Sequence, residues 1–352
     1  MTAAVLDVDR LTMRFGGLTA VQEVSFGVRR GEIVSVIGPN GAGKTTVFNA
    51  VTGIYAPTDG CVRFEGGEVR KPLRGATIAG FVAVAALTAV GAVLAINAEA
   101  LWKAAILDHF VYRQPFPWME AARDGLALLA RLSPWRTVAP ALLAAIVGAA
   151  GAFVVWQRSR RTPAVVAARG MSRTFQNIRL FGEMTLVENV LVGMDTRLRT
   201  GMLDAILRLP RFWRERRESE AKALELLRFV DLGAKAREMA RNLPYGHQRR
   251  LEIARALASE PTVLLLDEPA AGMNPAEAVD LMGLIRKVRD RGVTVVLIEH
   301  HMKVVMGISD RIVVLNFGKK IAEGTPEAIR SDEHVQEIYL GKHDEAGKED
   351  LG

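Results

Sequence analysis

Apolar residues in this chain follow three patterns, and the places where the pattern changes mark its parts. Over residues 5–26 they come in short strand-like runs, with turns expected at Gly16-Gly17 and Gly27. Residues 33–37 form an apolar, β-branched run suited to a strand buried on both faces of a parallel sheet, and residues 45–51 read as the helix that follows. A further strand is expected over 61–64, after a turn at Asp59-Gly60. Past Pro163 the same alternation resumes: a strand region over 165–175, helices over 186–192 and 218–232, and buried strands over 263–266 and 293–298. The second of those helices sets Ala221, Leu224, Leu227 and Val230 on one face, and the basic stretch 197–217 before it reads as an exposed connection.

Residues 76–98 and 138–156 obey neither period: they are uncharged runs of 23 and 19 residues. At about 1.5 Å per residue, each is long enough as a helix to cross a hydrocarbon core of roughly 30 Å. Arg70, Lys71 and Arg74 precede the first run and Arg158, Arg160 and Arg161 follow the second, whereas the 39 residues between them hold five Lys/Arg against four Asp/Glu. That asymmetry places both outer ends at the cytoplasm and the intervening segment on the far side. Trp102, Trp135 and Trp156 stand by the run ends, where interfacial aromatics belong, and Gly148 with Ala152 has the small-residue spacing of close helix packing. Pro140 is read as near an end. The other reading is a pair of buried helices in a soluble subdomain, and the uncharged length weighs against it. Residues 121–132 have helical spacing after a bend at Gln114-Pro115-Phe116-Pro117-Trp118, which fits an amphipathic helix on a membrane surface or a solvated loop with one packed helix.

Composition changes this picture little. The net charge of +7 is spread along the chain, so nucleic acid is not an expected partner. A single cysteine, Cys61, excludes an intramolecular disulfide framework, suits a reducing cytosol and is read as a small buried residue. The first residues lack an apolar targeting core, so no cleavable signal is expected.

The chemistry sits at the ends of the apolar strands. Gly38-Pro39-Asn40-Gly41-Ala42-Gly43-Lys44-Thr45 matches a phosphate loop at every fixed position, between a strand and a helix. Its glycines let successive N–H groups face an anion, Lys44 reaches the β- and γ-phosphates, and Thr45 is placed for Mg²⁺. Residues 263–266 deliver Asp267 and Glu268 to a strand's carboxyl end, where open α/β sheets bind ligands. Asp267 suits Mg²⁺ through water, and Glu268 suits a general base acting on a water. His300 ends the next strand, placed either to sense a γ-phosphate or as an ordinary surface histidine. Phe15 is either an adenine-stacking ring or a core residue.

Asn242-Leu243-Pro244-Tyr245-Gly246-His247-Gln248-Arg249-Arg250 resembles the signature segment of ATP-binding cassette (ABC) ATPases. Arg173-Thr174-Phe175-Gln176-Asn177, Pro269-Ala270-Ala271-Gly272-Met273-Asn274-Pro275 and the tail from Gly324-Thr325-Pro326 to Tyr339-Leu340-Gly341 are similar to the ATP-binding subunits of branched-chain amino-acid importers. The resemblance covers residues 5–70 and 163–343. It implies an α/β P-loop ABC nucleotide-binding domain with a helical subdomain at about 177–255; residues 71–162 depart from the family, where only a short connection is expected, and their two uncharged runs are read as a two-helix transmembrane hairpin that interrupts the domain as a membrane tether or an added permease contact. The parts would be 1–70 and 163–322 for the ATPase, 71–162 for the insert and 323–352 for the subgroup tail. It implies ATP with Mg²⁺ as ligands. Glu268, His300 and Gln176 would be catalytic; Phe15, Gly38, Asn40, Gly41, Gly43, Lys44, Thr45 and Thr46 would hold nucleotide; Thr45, Gln176 and Asp267 would serve the metal. Tyr245 and Gly246 would meet nucleotide held by a second ATPase subunit, with Pro244 and His247 departing from the usual serine and glutamine. Transmembrane permease subunits and, through them, a substrate-binding protein are the implied partners, at the cytoplasmic face of the cell membrane with the insert as anchor. A regulatory ABC ATPase without transport is the alternative class, and an ATPase gating its own two spans is a third.

Overall fold

The computed structural model describes residues 4–68, 73, 75–112, 114–131, 133–159, 162–198 and 200–340. The chain divides into two units, one of residues 1–70 with 161–352 and one of residues 71–160.

The first unit begins with β1 (Ala4–Phe15), β2 (Leu18–Arg29), β3 (Ile33–Ile37), α1 (Lys44–Val51), β4 (Asp59–Phe64) and β5 (Gly67–Glu68). The second unit holds α2 (Gly75–Ile96), α3 (Ala98–Ala105), α4 (Trp118–Arg131) and α5 (Pro134–Arg158). The first unit then continues through α6 (Pro163–Ala168), β6 (Met171–Arg173), α7 (Leu186–Gly193), α8 (Met202–Ile206), α9 (Pro210–Phe229), α10 (Tyr245–Leu257) and β7 (Val263–Asp267). It closes with α11 (Pro275–Asp290), β8 (Thr294–Ile298), α12 (Met302–Ile308), β9 (Arg311–Asn316), β10 (Lys319–Gly324), α13 (Pro326–Ser331) and α14 (Glu333–Leu340).

A six-stranded sheet ordered β10-β9-β3-β8-β7-β6 forms its centre, parallel except for the edge strand β10. Every residue of β3, β7 and β8 is buried, so these strands read as unbroken apolar runs rather than alternating ones. Alternation survives in which layer each side chain meets. Val263 and Leu265 join Val34, Val36, Val296 and Ile298 in a core shared with α1 and the four-stranded antiparallel sheet β2-β1-β4-β5. Leu264 and Leu266 join Ile33, Val295 and Leu297 in a second core with α7, α9, α10 and α11.

Several boundaries differ from those expected. No turn interrupts β2 at Gly27, which pairs with Asp7, and the chain reverses after Arg29 instead. Asp59 and Gly60 lie within β4, at a register shift that the left-handed backbone of Gly60 (φ +78°) accommodates. The strand expected over 165–175 opens in helix α6, because Thr162 caps its start and Pro163 takes the first helical position, and only Met171–Arg173 is a strand. The connection expected over 197–217 carries α8 and the start of α9, another helix opened by a proline, Pro210. Cys61 is half-buried rather than buried.

In the second unit, α2 and α5 lie antiparallel against each other, and the most apolar stretch of each has no buried residue. Gly148 permits the approach: a Cβ there would collide with the Thr88 side chain, whose Oγ1 lies 3.0 Å from Ala144 O across the pair. Trp156 is not an exposed interfacial aromatic, since it is 9% exposed and meets Phe81 and Phe153 at centroid separations of 6.1 and 5.7 Å. Trp102 and Trp135 are exposed. Pro140 lies near the start of the apolar span Thr137–Gln157, and α5 extends past it to begin at Pro134. The middle of the unit is helical in both α3 and α4. Among the flanking cations, Arg70, Lys71, Arg74, Arg160 and Arg161 lie outside the described residues, as does Gly341.

Candidate functional site

The phosphate-loop motif occupies the turn from β3 into α1. A side chain at Gly38 would strike the carbonyl of Leu315, and one at Gly43 (φ +95°) would sit 2.8 Å from Ala20 O, so the loop's path requires glycine at both positions. Lys44 is buried, and its Nζ donates to the carbonyls of Gly38 (2.8 Å) and Pro39 (2.9 Å). Burial lowers its pKa, and the nearby charges of Glu268 and Asp267 oppose that shift, so loop lysine and strand-end acids share one field. Asn40, Gly41 and Thr45 are exposed at the loop surface and Thr46 is half-buried.

The sheet order explains how distant segments meet here. β3 and β7 both flank β8, so the phosphate loop, Asp267-Glu268 and the Glu299-His300-His301 segment follow neighbouring parallel strands at one sheet edge. Glu268 Oε2 accepts from Gln176 Nε2 at 2.8 Å and lies 4.0 Å from His300 Nδ1. One carboxylate oxygen is therefore approached by the two other residues expected to be catalytic. Asp267 is buried and paired with Arg173 at 2.6 Å. Arg173 also donates to Asn49 Oδ1 at 2.7 Å, tying β6 to α1.

Phe15 is 43% exposed, which removes the core reading, and it meets Tyr55 edge-on at 5.2 Å. The described contacts of Tyr245 and Gly246 lie elsewhere in the same chain. Side chains built at Gly272 and Gly246 would stand 3.6 Å from Tyr245 and 3.1 Å from Glu277 Oε1, so the first turn of α10 packs on the segment leading into α11. No side chain caps α10, since Pro244 stands at the capping position.

Sequence reasoning missed two parts of this site. Arg173 stands in a quoted motif, but only the β6–β7 register, which aligns it with Leu265, brings it to Asp267 two residues on. Glu299 is fully buried and accepts from the N–H groups of Ala270 (2.7 Å) and His300 (3.2 Å), joining the segment after Glu268 to the one bearing His300. The signal for Glu299 is a carboxylate directly following an all-buried strand, where it must find donors.

Comparison with known proteins agrees with this architecture. The ABC transporter family profile matches residues 21–89 and 141–271, more than half of the chain. That of the branched-chain amino acid ATP-binding cassette transporter matches residues 319–345. The high-affinity branched-chain amino acid transport ATP-binding protein BraF of Pseudomonas aeruginosa is 39% identical over 97% of this chain and 100% of its own length. LivG of Escherichia coli, of the same description, is 37% identical with the same coverage. Among solved structures, a nucleotide-free ATP-binding cassette from an ABC transporter superposes with a TM-score of 0.62 at 24% identity, covering 97% of this chain and 100% of that one. This chain belongs to the ABC transporter family, among the branched-chain amino-acid transport ATP-binding proteins.

Proposed function

We propose that this chain is the ATP-hydrolysing motor of an importer for branched-chain or related amino acids, with Glu268 as the base that activates water. The observation that carries the catalytic part is the convergence of Gln176 and His300 on one oxygen of Glu268, with only β8, the strand that ends before His300, between Glu268's strand and the one that leads into the phosphate loop. The amino-acid part is supported by the relatives' descriptions and by the match over residues 319–345.

Gly38, Asn40, Gly41, Gly43, Lys44, Thr45 and Thr46 hold the phosphates through the loop backbone and the helix N-terminus. Phe15, exposed at the end of β1, stacks on the adenine. Gln176 orients the attacking water, and His300 contacts the γ-phosphate. The donor set suits magnesium: the Thr45 hydroxyl, the Asp267 carboxylate and the Gln176 amide are hard oxygen ligands. No group of three or more His, Cys, Asp or Glu among the described residues could hold an ion without phosphate oxygens. Thr45, Asp267 and Gln176 would hold Mg²⁺, which would neutralise charge on the β- and γ-phosphates.

A partner ATPase subunit, whose nucleotide Tyr245 and Gly246 close on, is supported by the resemblance of residues 242–250 to the ABC signature segment and by the relatives' descriptions. Permease subunits form the transport path, and the α2–α5 hairpin anchors the chain in the membrane; the long apolar, unburied stretch of each helix supports that reading.

The test is Glu268→Gln in the full chain assembled with its permeases. Hydrolysis should fall by about 10²- to 10⁴-fold while nucleotide affinity is retained. Unchanged turnover would remove Glu268 from the role.

A further inference from the structure

The segment carrying Gln176 leaves regular structure after β6 ends at Arg173, so something else must set its path. Two buried side chains of α10 do so. Arg249, whose side chain has no exposed surface, donates from Nη1 to Phe175 O at 2.8 Å and from Nη2 to Gln176 O at 2.9 Å. Glu252, one turn along, has a side chain 1% exposed; its Oε2 accepts from Arg249 Nη1 at 2.7 Å and its Oε1 from the Phe175 N–H at 3.2 Å.

Every described hydrogen bond of these two side chains other than their own ion pair thus goes to the Phe175-Gln176 backbone, and Glu252 also lies in the field of Arg255. A fully buried ion pair is seldom more stabilising than apolar residues of the same volume, so its presence is better explained by geometry than by stability. Arginine suits that purpose: its planar fork addresses two successive carbonyls at fixed spacing, which a lysine cannot do. Gly246 lies three residues before Arg249 on the same helix, about 4.5 Å along its axis. A displacement of the helix's first turn is therefore carried directly to the guanidinium, and from there to the peptide whose side chain reaches Glu268 at 2.8 Å.

We propose that Arg249 and Glu252 are positioning residues that make the Gln176–Glu268 contact depend on where the first turn of α10 stands. An anion engaged by Tyr245-Gly246, the polyphosphate of a nucleotide on a second copy of this chain or on a sister subunit, is thereby reported to this chain's own Glu268. This inference rests on the ATPase reading above. It adds a physical link between two nucleotide sites, running through the interior of one chain.

The experiment compares wild type, Arg249→Lys and the double variant Arg249→Met/Glu252→Leu, each as full chain assembled with its permeases. The double variant replaces the pair by apolar residues of similar volume, removes the buried charges together, and is expected to fold with a loss of stability limited to the backbone hydrogen bonds given up. Its kcat should fall by about ten- to a hundredfold with KM for ATP within about twofold, and its ATP dependence should lose cooperativity. A folded double variant with lowered kcat and near-wild-type KM separates positioning from a merely structural role. A folded double variant with wild-type kcat and cooperativity overturns the proposal. Should the double variant not fold, Arg249→Lys decides: it keeps the charge pair but cannot span both carbonyls, so the same kcat loss is expected and wild-type kinetics refute the clamp. Hydrogen exchange at the Phe175 amide needs no turnover and should accelerate at least about tenfold in Glu252→Leu, which has no acceptor for that N–H, at unchanged global protection; a wild-type exchange rate also overturns the proposal. A wild-type complex that hydrolyses no ATP counts against the ATPase reading instead, and the exchange measurement then still judges the clamp.

Discussion

Glu268 has φ +44°, a left-handed conformation that costs a non-glycine residue on the order of 1–3 kcal/mol. The surroundings impose it: its N–H is bonded to Ile298 O at 2.9 Å and its carboxylate is held by Gln176 at 2.8 Å. At this scale the motifs of the candidate site are legible in the sequence, because a phosphate-loop pattern and a strand-end acid pair are local and have fixed spacing. Arg173, Glu299 and Arg249 are not, because their partners lie far away along the chain. Lys44 is the sharpest residue-level test. Its ammonium is buried against loop carbonyls in the field of two acids, so Lys44→Ala removes a cation that the loop is built to hold. ATP affinity should drop by about ten- to a hundredfold in equilibrium binding, the loss expected for charged hydrogen bonds. Unaltered affinity would contradict the phosphate-loop assignment.

Among elements, the central sheet is tied at its amino-terminal edge by Glu32, just before β3. Its carboxylate accepts from Arg311 Nε at 2.8 Å and from the Arg29 N–H at 2.7 Å, and Arg311 also bonds Gly27 O and Glu323. Burial by itself raises the Glu32 pKa, but these hydrogen bonds and the Arg311 and Arg29 charges outweigh it and hold the group below its ordinary value of 4.5. A carboxyl depressed on folding stabilises the protein above its unfolded pKa and loses that contribution as pH falls through the folded one. Glu32→Gln should therefore cost about 1–3 kcal/mol in urea unfolding at pH 7. The gap from wild type should narrow as the pH drops below 4.5, and a pH-independent gap would show that Glu32 is not the titrating group. Local signals also decided helix starts: Thr185 with Glu188 and Asn274 with Glu277 form capping boxes, each worth about 1 kcal/mol. The α6 segment shows where apolar content misleads, since its Val165 and Val166 suggest a strand while Thr162-Pro163 starts a helix.

The whole molecule is an ATPase unit whose sequence is interrupted by a unit of a different character. Apolar side chains exposed along α2 and α5, among them Val82, Leu87, Leu142 and Ile146, need a covering that the helix pair does not itself supply. Alkaline extraction of membranes from cells expressing this chain without permeases measures whether a bilayer is that covering. Retention in the pellet, with protease cleavage near Gln114 only from the outside, is the expected result. Release as a folded soluble ATPase would overturn the anchor.

The sequence by itself determined the local elements and the motifs they carry. Strand, loop and helix around Lys44, the acids after residues 263–266 and the two uncharged runs are all set by neighbours within a few residues, where spacing and steric rules act. Tertiary structure alone decided which strand ends adjoin, because the order β3-β8-β7 follows from crossover connections that leave no local trace. For the same reason only the folded chain brings Arg173 to Asp267, Glu299 to Ala270 and Arg249 to Gln176. A buried charge must find its partner in space, and sequence separation carries no record of that distance.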